Sequence, residues 1–177
     1  MSEFMRTLIR RRLLLLGSGA LLVALLVVGC LLWPQTVARA YLPAALFWLG
    51  VPLGAMSLWM IHGLTGGRWG EVLRPALAAA VATLPLMLLL FVPLLLVLPA
   101  LFPWTGPAES LAEVVQHKLD YLNEPFFTLR AALSGGVWLL LALGLLMAGR
   151  WRAPLSALGL MLHALLVSFF AFDWIMS

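Results

Sequence analysis

Apolar and polar positions in this chain separate into long blocks. Apolar runs at 13–33, 42–62, 76–101, 132–149 and 154–175 are divided by short polar punctuation. A hydrocarbon layer about 30 Å thick is crossed by roughly 20 apolar residues wound as a helix, so each run predicts one membrane span. The predicted fold is therefore all-α: one polytopic bundle over residues 1–177 with about five transmembrane helices. Pro34, Pro43, Pro75 and Pro154 stand at run boundaries, where a missing N–H is least costly, and Gly66-Gly67 breaks the chain between the second and third runs. Pro52, Pro85, Pro93 and Pro99 fall inside runs, where each frees a carbonyl that a neighbouring helix or a water must satisfy. The one long connection, 102–131, carries Glu109, Glu113, Asp120 and Glu124 against Lys118, and a short amphipathic stretch is expected near 111–122. Gly50 and Gly54, and the stripe Ala76, Ala79 and Ala80, suit close helix packing.

Composition supports this layout, since 64% hydrophobic and 10% charged residues cannot wet the surface of a soluble domain. The formal charge of +4 is mostly arginine lying just outside the apolar runs, a mark of membrane topology and not of nucleic-acid binding. One set of alternate connections holds Arg6, Arg10, Arg11, Arg12, Arg68, Arg74, Arg150 and Arg152; the other holds Arg39, Lys118 and Arg130. Eight against three places the first set, and the amino terminus, in the cytoplasm. The run at 13–33 imitates a secretory signal ending at Ala38-Arg39-Ala40, and Val27-Val28-Gly29-Cys30 imitates a lipoprotein processing box. Its 21 residues exceed the 7 to 15 typical of a signal core, so it is expected to be retained as a helix. Cys30 is the only cysteine, which excludes an internal disulfide or a cysteine metal cluster.

Ionisable groups inside an apolar bundle are costly, and so their positions are informative. His163, nine residues after Pro154, is expected near mid-membrane; Asp173 lies close to the outer face; His62 ends the second helix on the inner face beside Arg68, Glu71 and Arg74. His62 and Asp173 should be separated by nearly the membrane thickness, so they cannot jointly hold one headgroup, and His62 and His163 differ in depth, as a bis-histidine haem would not allow. No phosphate loop, dinucleotide fingerprint, zinc-protease motif or nucleophile elbow is present in the sequence. His163, Asp173 and His62 are the candidate proton-handling or quinone-proximal groups, with His163 otherwise a helix-packing histidine bonded to a carbonyl. Arg68 and Arg74 are candidates for contacting lipid phosphate or a partner at the inner face, against plain topology anchoring; Trp69 and Trp104 read as interfacial anchors. No metal ligands are assigned, and a solute transporter would need more polar groups than this chain supplies.

Three segments carry a family resemblance: His62-Gly63-Leu64-Thr65-Gly66-Gly67-Arg68-Trp69-Gly70 with Arg74 and Leu84-Pro85-Leu86; Pro103-Trp104 followed by His117 to Asn123, Phe126-Phe127 and Arg130; and Phe172-Asp173-Trp174-Ile175-Met176-Ser177. In this order they resemble the F subunit of bacterial alternative complex III, a quinol:cytochrome c oxidoreductase, over roughly residues 47–177. The resemblance implies a subunit akin to polysulfide reductase membrane anchors in the bacterial inner membrane, beside iron–sulfur, haem and quinol-binding partners. It implies no redox metal bound directly, with quinone or quinol as the candidate ligand and a role in quinol access or proton movement, non-catalytic alone. His117, Lys118, Asp120 and Arg130 would contact partner subunits at the outer face, or else be solvated loop charges. Family members have about ten helices, and this chain matches the amino-terminal half; a truncated product, a split subunit with a separate second half, and a short paralogue without activity are the open readings. The competing function is a purely structural or assembly subunit.

Overall fold

A computed structural model describes residues 14–176 apart from 15–16, 20, 22–23, 26, 30, 108, 110, 112 and 148–151. The described residues contain helices only. Much of the run 13–33 and the arginines Arg6, Arg10, Arg11, Arg12 and Arg150 lie outside them; the described part of that run is helical and its leucines are exposed. By length and composition, four helical stretches among the described residues could cross a membrane: Pro34–Thr65, Arg68–Leu96, Glu124–Met147 and Ala153–Met176.

The first of them, α1, spans Pro34–Thr65, 32 residues and about 48 Å. It starts eight residues before the apolar run that predicts it. Pro34 supplies the favoured first-turn position, and the Trp33 and Val37 N–H groups bond Gly29 and Trp33 carbonyls, so only Trp33 separates α1 from the helical residues before it. A Cβ at Gly29 would crowd the Val37 side chain, so the chain on either side of Trp33 comes close here. The expected loop holding Arg39 is therefore helix, and Pro43 lies inside α1 with Pro52. Gly66 and Gly67, both with positive φ (66° and 96°), end α1 and reverse the chain, and the Gly66 N–H closes on the His62 carbonyl.

The predicted helix 76–101 is instead three segments. Arg68–Ala82 (α2) starts directly after the glycine reversal and takes Pro75 into its interior; Leu84–Leu96 (α3) and Leu98–Leu101 (α4) follow. Thr83 and Val97 interrupt the run, and each stands two residues before a proline, Pro85 or Pro99. A proline in the first turn needs no intrahelical donor, so the chain restarts a helix there where it cannot continue one. Thr83 covers the gap by donating its hydroxyl to the Ala80 carbonyl at 2.7 Å. Three residues before Pro93 of α3, the Tyr41 hydroxyl of α1 donates to the Leu90 carbonyl at 2.7 Å.

Beyond a short 3₁₀ turn at Pro103–Thr105 and one turn of helix at Glu113–Gln116 (α5), α6 spans Glu124–Met147. It starts eight residues before the apolar run at 132, because Asn123 caps it: the Phe126 N–H bonds Asn123 Oδ1 at 3.0 Å. The loop 102–131 is thus shorter than its sequence implies. The last helix, α7, spans Arg152–Ala171 and widens into a π-helical turn at Phe172–Met176.

α1 is the central element, packed against α2, α7 and α3. It buries Leu49, Leu53, Met56 and Met60, at steps of four, three and four, as one helical face requires. Gly159 of α7 admits Met60 and Leu141, so α1, α6 and α7 meet closely there. Gly50 and Gly54 do not take part: they lie on the opposite, exposed face of α1 with no atom near the position a Cβ would occupy. Leu86, Leu89, Leu133, Leu140, Leu158 and Leu165 face outward, as lipid-facing positions would.

Candidate functional site

Two groups from separate parts of the sequence meet at the end of the bundle that carries the long loop. Arg130, one and a half turns into α6, donates from Nε to Asp173 Oδ2 and from Nη2 to Asp173 Oδ1, both at 2.8 Å, a two-point guanidinium–carboxylate pair. Its Nη1 donates to the Tyr121 carbonyl at 3.0 Å, and the Tyr121 hydroxyl donates to Asp173 Oδ1 at 3.0 Å. The guanidinium lies 3.8 Å over the Tyr121 ring and 4.5 Å from the Phe126 ring, which adds cation–π attraction.

Asp173 and its neighbour Trp174 lie in the π turn, and both are buried, at 4% and 2% exposure. Trp174 then packs on Phe91 and Phe127, with ring centres 4.9 and 5.0 Å away, and Phe102 stacks on Trp104 at 5.5 Å. The ion pair is thus roofed by the loop and floored by aromatic rings.

Burial and the bond to Asp173 push the Tyr121 phenol above its ordinary value of 10.0, with Arg130 opposing. A raised folded-state value means that Tyr121 adds stability fully below pH about 10 and loses it as pH rises through the folded value. With only two tyrosines in the chain, a Tyr41→Phe variant isolates it. Its ultraviolet titration is expected to run above that of free tyrosine, and a midpoint at or below 10 would contradict the bond to Asp173.

His163 sits in the bundle interior at 4% exposure, facing the Leu53 carbonyl of α1 as a hydrogen-bond acceptor and, at 6.2 Å between ring centres, Trp138 of α6. Its Nδ1 has no partner, nor does the hydroxyl of Ser156, two turns away on the same buried face. His62 is at the opposite end of the bundle. Its Nε2 lies 3.1 Å from the Gly67 carbonyl, its ring meets Trp69 edge-on at 5.2 Å, and it fills the space above Gly70. The three proton-handling candidates therefore occupy three depths: Asp173 paired at the loop end, His163 inside, His62 in the glycine turn. The Leu53 carbonyl and His62 are about 14 Å apart along α1, as nine residues require.

The remaining candidates are spread out. Arg68, Arg74, His117, Lys118 and Asp120 are exposed, the first two near the glycine turn and the last three in the loop; Arg130 is withdrawn from the surface by Asp173. Sequence reading put Arg130 and Asp173 in different roles and did not single out Tyr121, since nothing local links positions 43 and 52 residues apart. Among the described residues no group of three His, Cys, Asp or Glu side chains could hold a metal ion. A cleft of about 340 Å³ runs between α3 and α6, and a second hollow of about 390 Å³ lies under Trp104, Leu122 and Glu124.

These features define a class: among the described residues, an all-helical chain with four candidate membrane spans and one buried ion pair. Compared with known proteins, the sequence matches no family model and no curated protein.

Proposed function

We propose that this chain is a multi-pass subunit of a respiratory quinol-oxidising assembly in the bacterial inner membrane, contributing to quinol access or proton movement and not catalytic alone. The observation that best supports this reading is the convergence at the loop end. Two of the three segments that carry the resemblance to the alternative complex III subunit, 103–130 and 172–177, contribute Arg130, Tyr121, Trp104, Asp173 and Trp174 to one cluster. These residues then share one physical task, holding the loop in place where iron–sulfur and haem-bearing partners would dock on His117, Lys118 and Asp120. The arginine count favours the loop end as the outer face.

Within this reading His163 is the group suited to exchange a proton. It is a buried imidazole without a charged partner in contact, whereas the Asp173 carboxylate is neutralised by Arg130. His163→Leu is expected to leave the assembly intact and to lower quinol turnover at least tenfold in native membranes. Unchanged turnover in an intact assembly would favour the second reading, a purely structural subunit. The closed Arg130–Asp173–Tyr121 cluster, in which both carboxylate oxygens are hydrogen-bonded, is the observation on that side.

A further inference from the structure

Between the ion pair and His163 the interior of the bundle holds a continuous column of aromatic rings. Trp174, the residue after Asp173, lies 5.7 Å from Phe170 between ring centres, Phe170 lies 5.2 Å from Trp138 of α6, and Trp138 lies 6.2 Å from the His163 imidazole. The column therefore leaves α7 at Phe170, passes through one ring of α6 and returns to α7 at His163. Trp174 and Trp138 are buried, so neither gives way into the surroundings of the bundle.

The loop end of the column is tied to the long loop. Asp173 takes two bonds from Arg130 and one from the Tyr121 hydroxyl, and Arg130 also donates to the Tyr121 carbonyl. A shift of the loop at Tyr121 thus acts on the residue beside Trp174. Both Asp173 and Trp174 lie in the π turn, a form of helix that occurs mostly as single turns and often at functional sites. Phe170 and Trp174 border the α3–α6 cleft of about 340 Å³, which leaves these two rings space to shift, whereas Trp138 does not line it. At the other end the imidazole has the Leu53 carbonyl as its one hydrogen-bond partner and an unpartnered Nδ1, so its orientation depends on the ring packed against it. Packed side chains of this kind carry coupling between separated groups where each group has more than one arrangement.

We propose that the Trp174, Phe170 and Trp138 rings carry the position of the long loop to His163, so that a partner seated on the loop adjusts the proton-exchanging imidazole. This rests on the reading of His163 as that group, and the test observes the imidazole itself and not turnover. The chain has three histidines, so the full chain labelled with isotopic histidine gives three sets of ring resonances in mild detergent, and His163→Leu assigns the interior one. Arg130→Lys keeps the charge but loses the two-point grip on Asp173. It is expected to shift the His163 resonances and to leave those of His62, at the far end of the bundle, in place. Tyr121→Phe, which removes only the phenol bond, is expected to give a smaller shift of the same resonances and serves in place of Arg130→Lys where that variant does not fold. In a Phe170→Leu background, where the column is cut, neither variant is expected to move His163. His163 resonances unmoved by a folded loop-end variant would overturn the proposal. So would an equal shift in both backgrounds, which assigns the coupling to the α7 backbone. Failure of the quinol reading shows separately, as unchanged turnover of His163→Leu in the intact assembly.

Discussion

Replacing Arg130 by methionine is expected to destabilise the folded chain by about 3–5 kcal/mol, the usual cost of stranding one charge of a buried pair. The estimate suits this site because both side chains are withdrawn from solvent, at 14% and 5% exposure. Asp173 would keep the Tyr121 hydroxyl but lose both guanidinium bonds, and Tyr121 and Phe126 would lose the cation that their rings hold. Asp173→Leu alone should cost a similar amount, since it strands the guanidinium. The double variant Arg130→Met with Asp173→Leu is expected to recover most of the loss, because the charges then disappear together and an apolar pair suits the aromatic floor. Thermal unfolding in mild detergent reads all three. Additive losses in the double variant would show that the two residues act independently, contrary to the geometry.

The second large effect is expected at Gly70. A methyl group there would overlap the His62 ring, and that ring has no easy retreat: it is tied to the Gly67 carbonyl, meets Trp69 edge-on and is almost fully buried. Gly70→Ala should therefore cost about 1–3 kcal/mol, as overpacking does elsewhere, although a helical glycine-to-alanine change would otherwise gain up to about 1 kcal/mol. The sign is diagnostic. Removing the ring in His62→Ala with Gly70→Ala should turn the alanine at 70 from a loss to a gain. Persistence of the full loss in the double variant would place its cause outside the His62 contact.

Much of the helical layout is legible in the apolar runs, and the errors have one physical origin. From the sequence alone a proline predicts either a boundary or an interior break, and the structure divides them differently. Pro43 and Pro75 are carried inside α1 and α2, while Pro85 and Pro99 restart helices after Thr83 and Val97. The early starts of α1 and α6 come from Pro34 and the Asn123 cap, polar or neutral positions that an apolar count passes over. The separation of His62, His163 and Asp173 along the bundle follows from rise per residue. The Arg130–Asp173 pair does not follow from the sequence, because it joins positions 43 residues apart beside a loop whose path no local pattern specifies.

The central proposal is that the chain serves within a quinol-oxidising membrane assembly. It is tested most directly by gentle detergent extraction of the tagged chain from its native membrane, followed by mass spectrometry of what copurifies. Recovery with iron–sulfur, haem-bearing and quinol-binding subunits is the predicted result. Recovery of the folded chain alone would contradict it and leave an independent membrane protein.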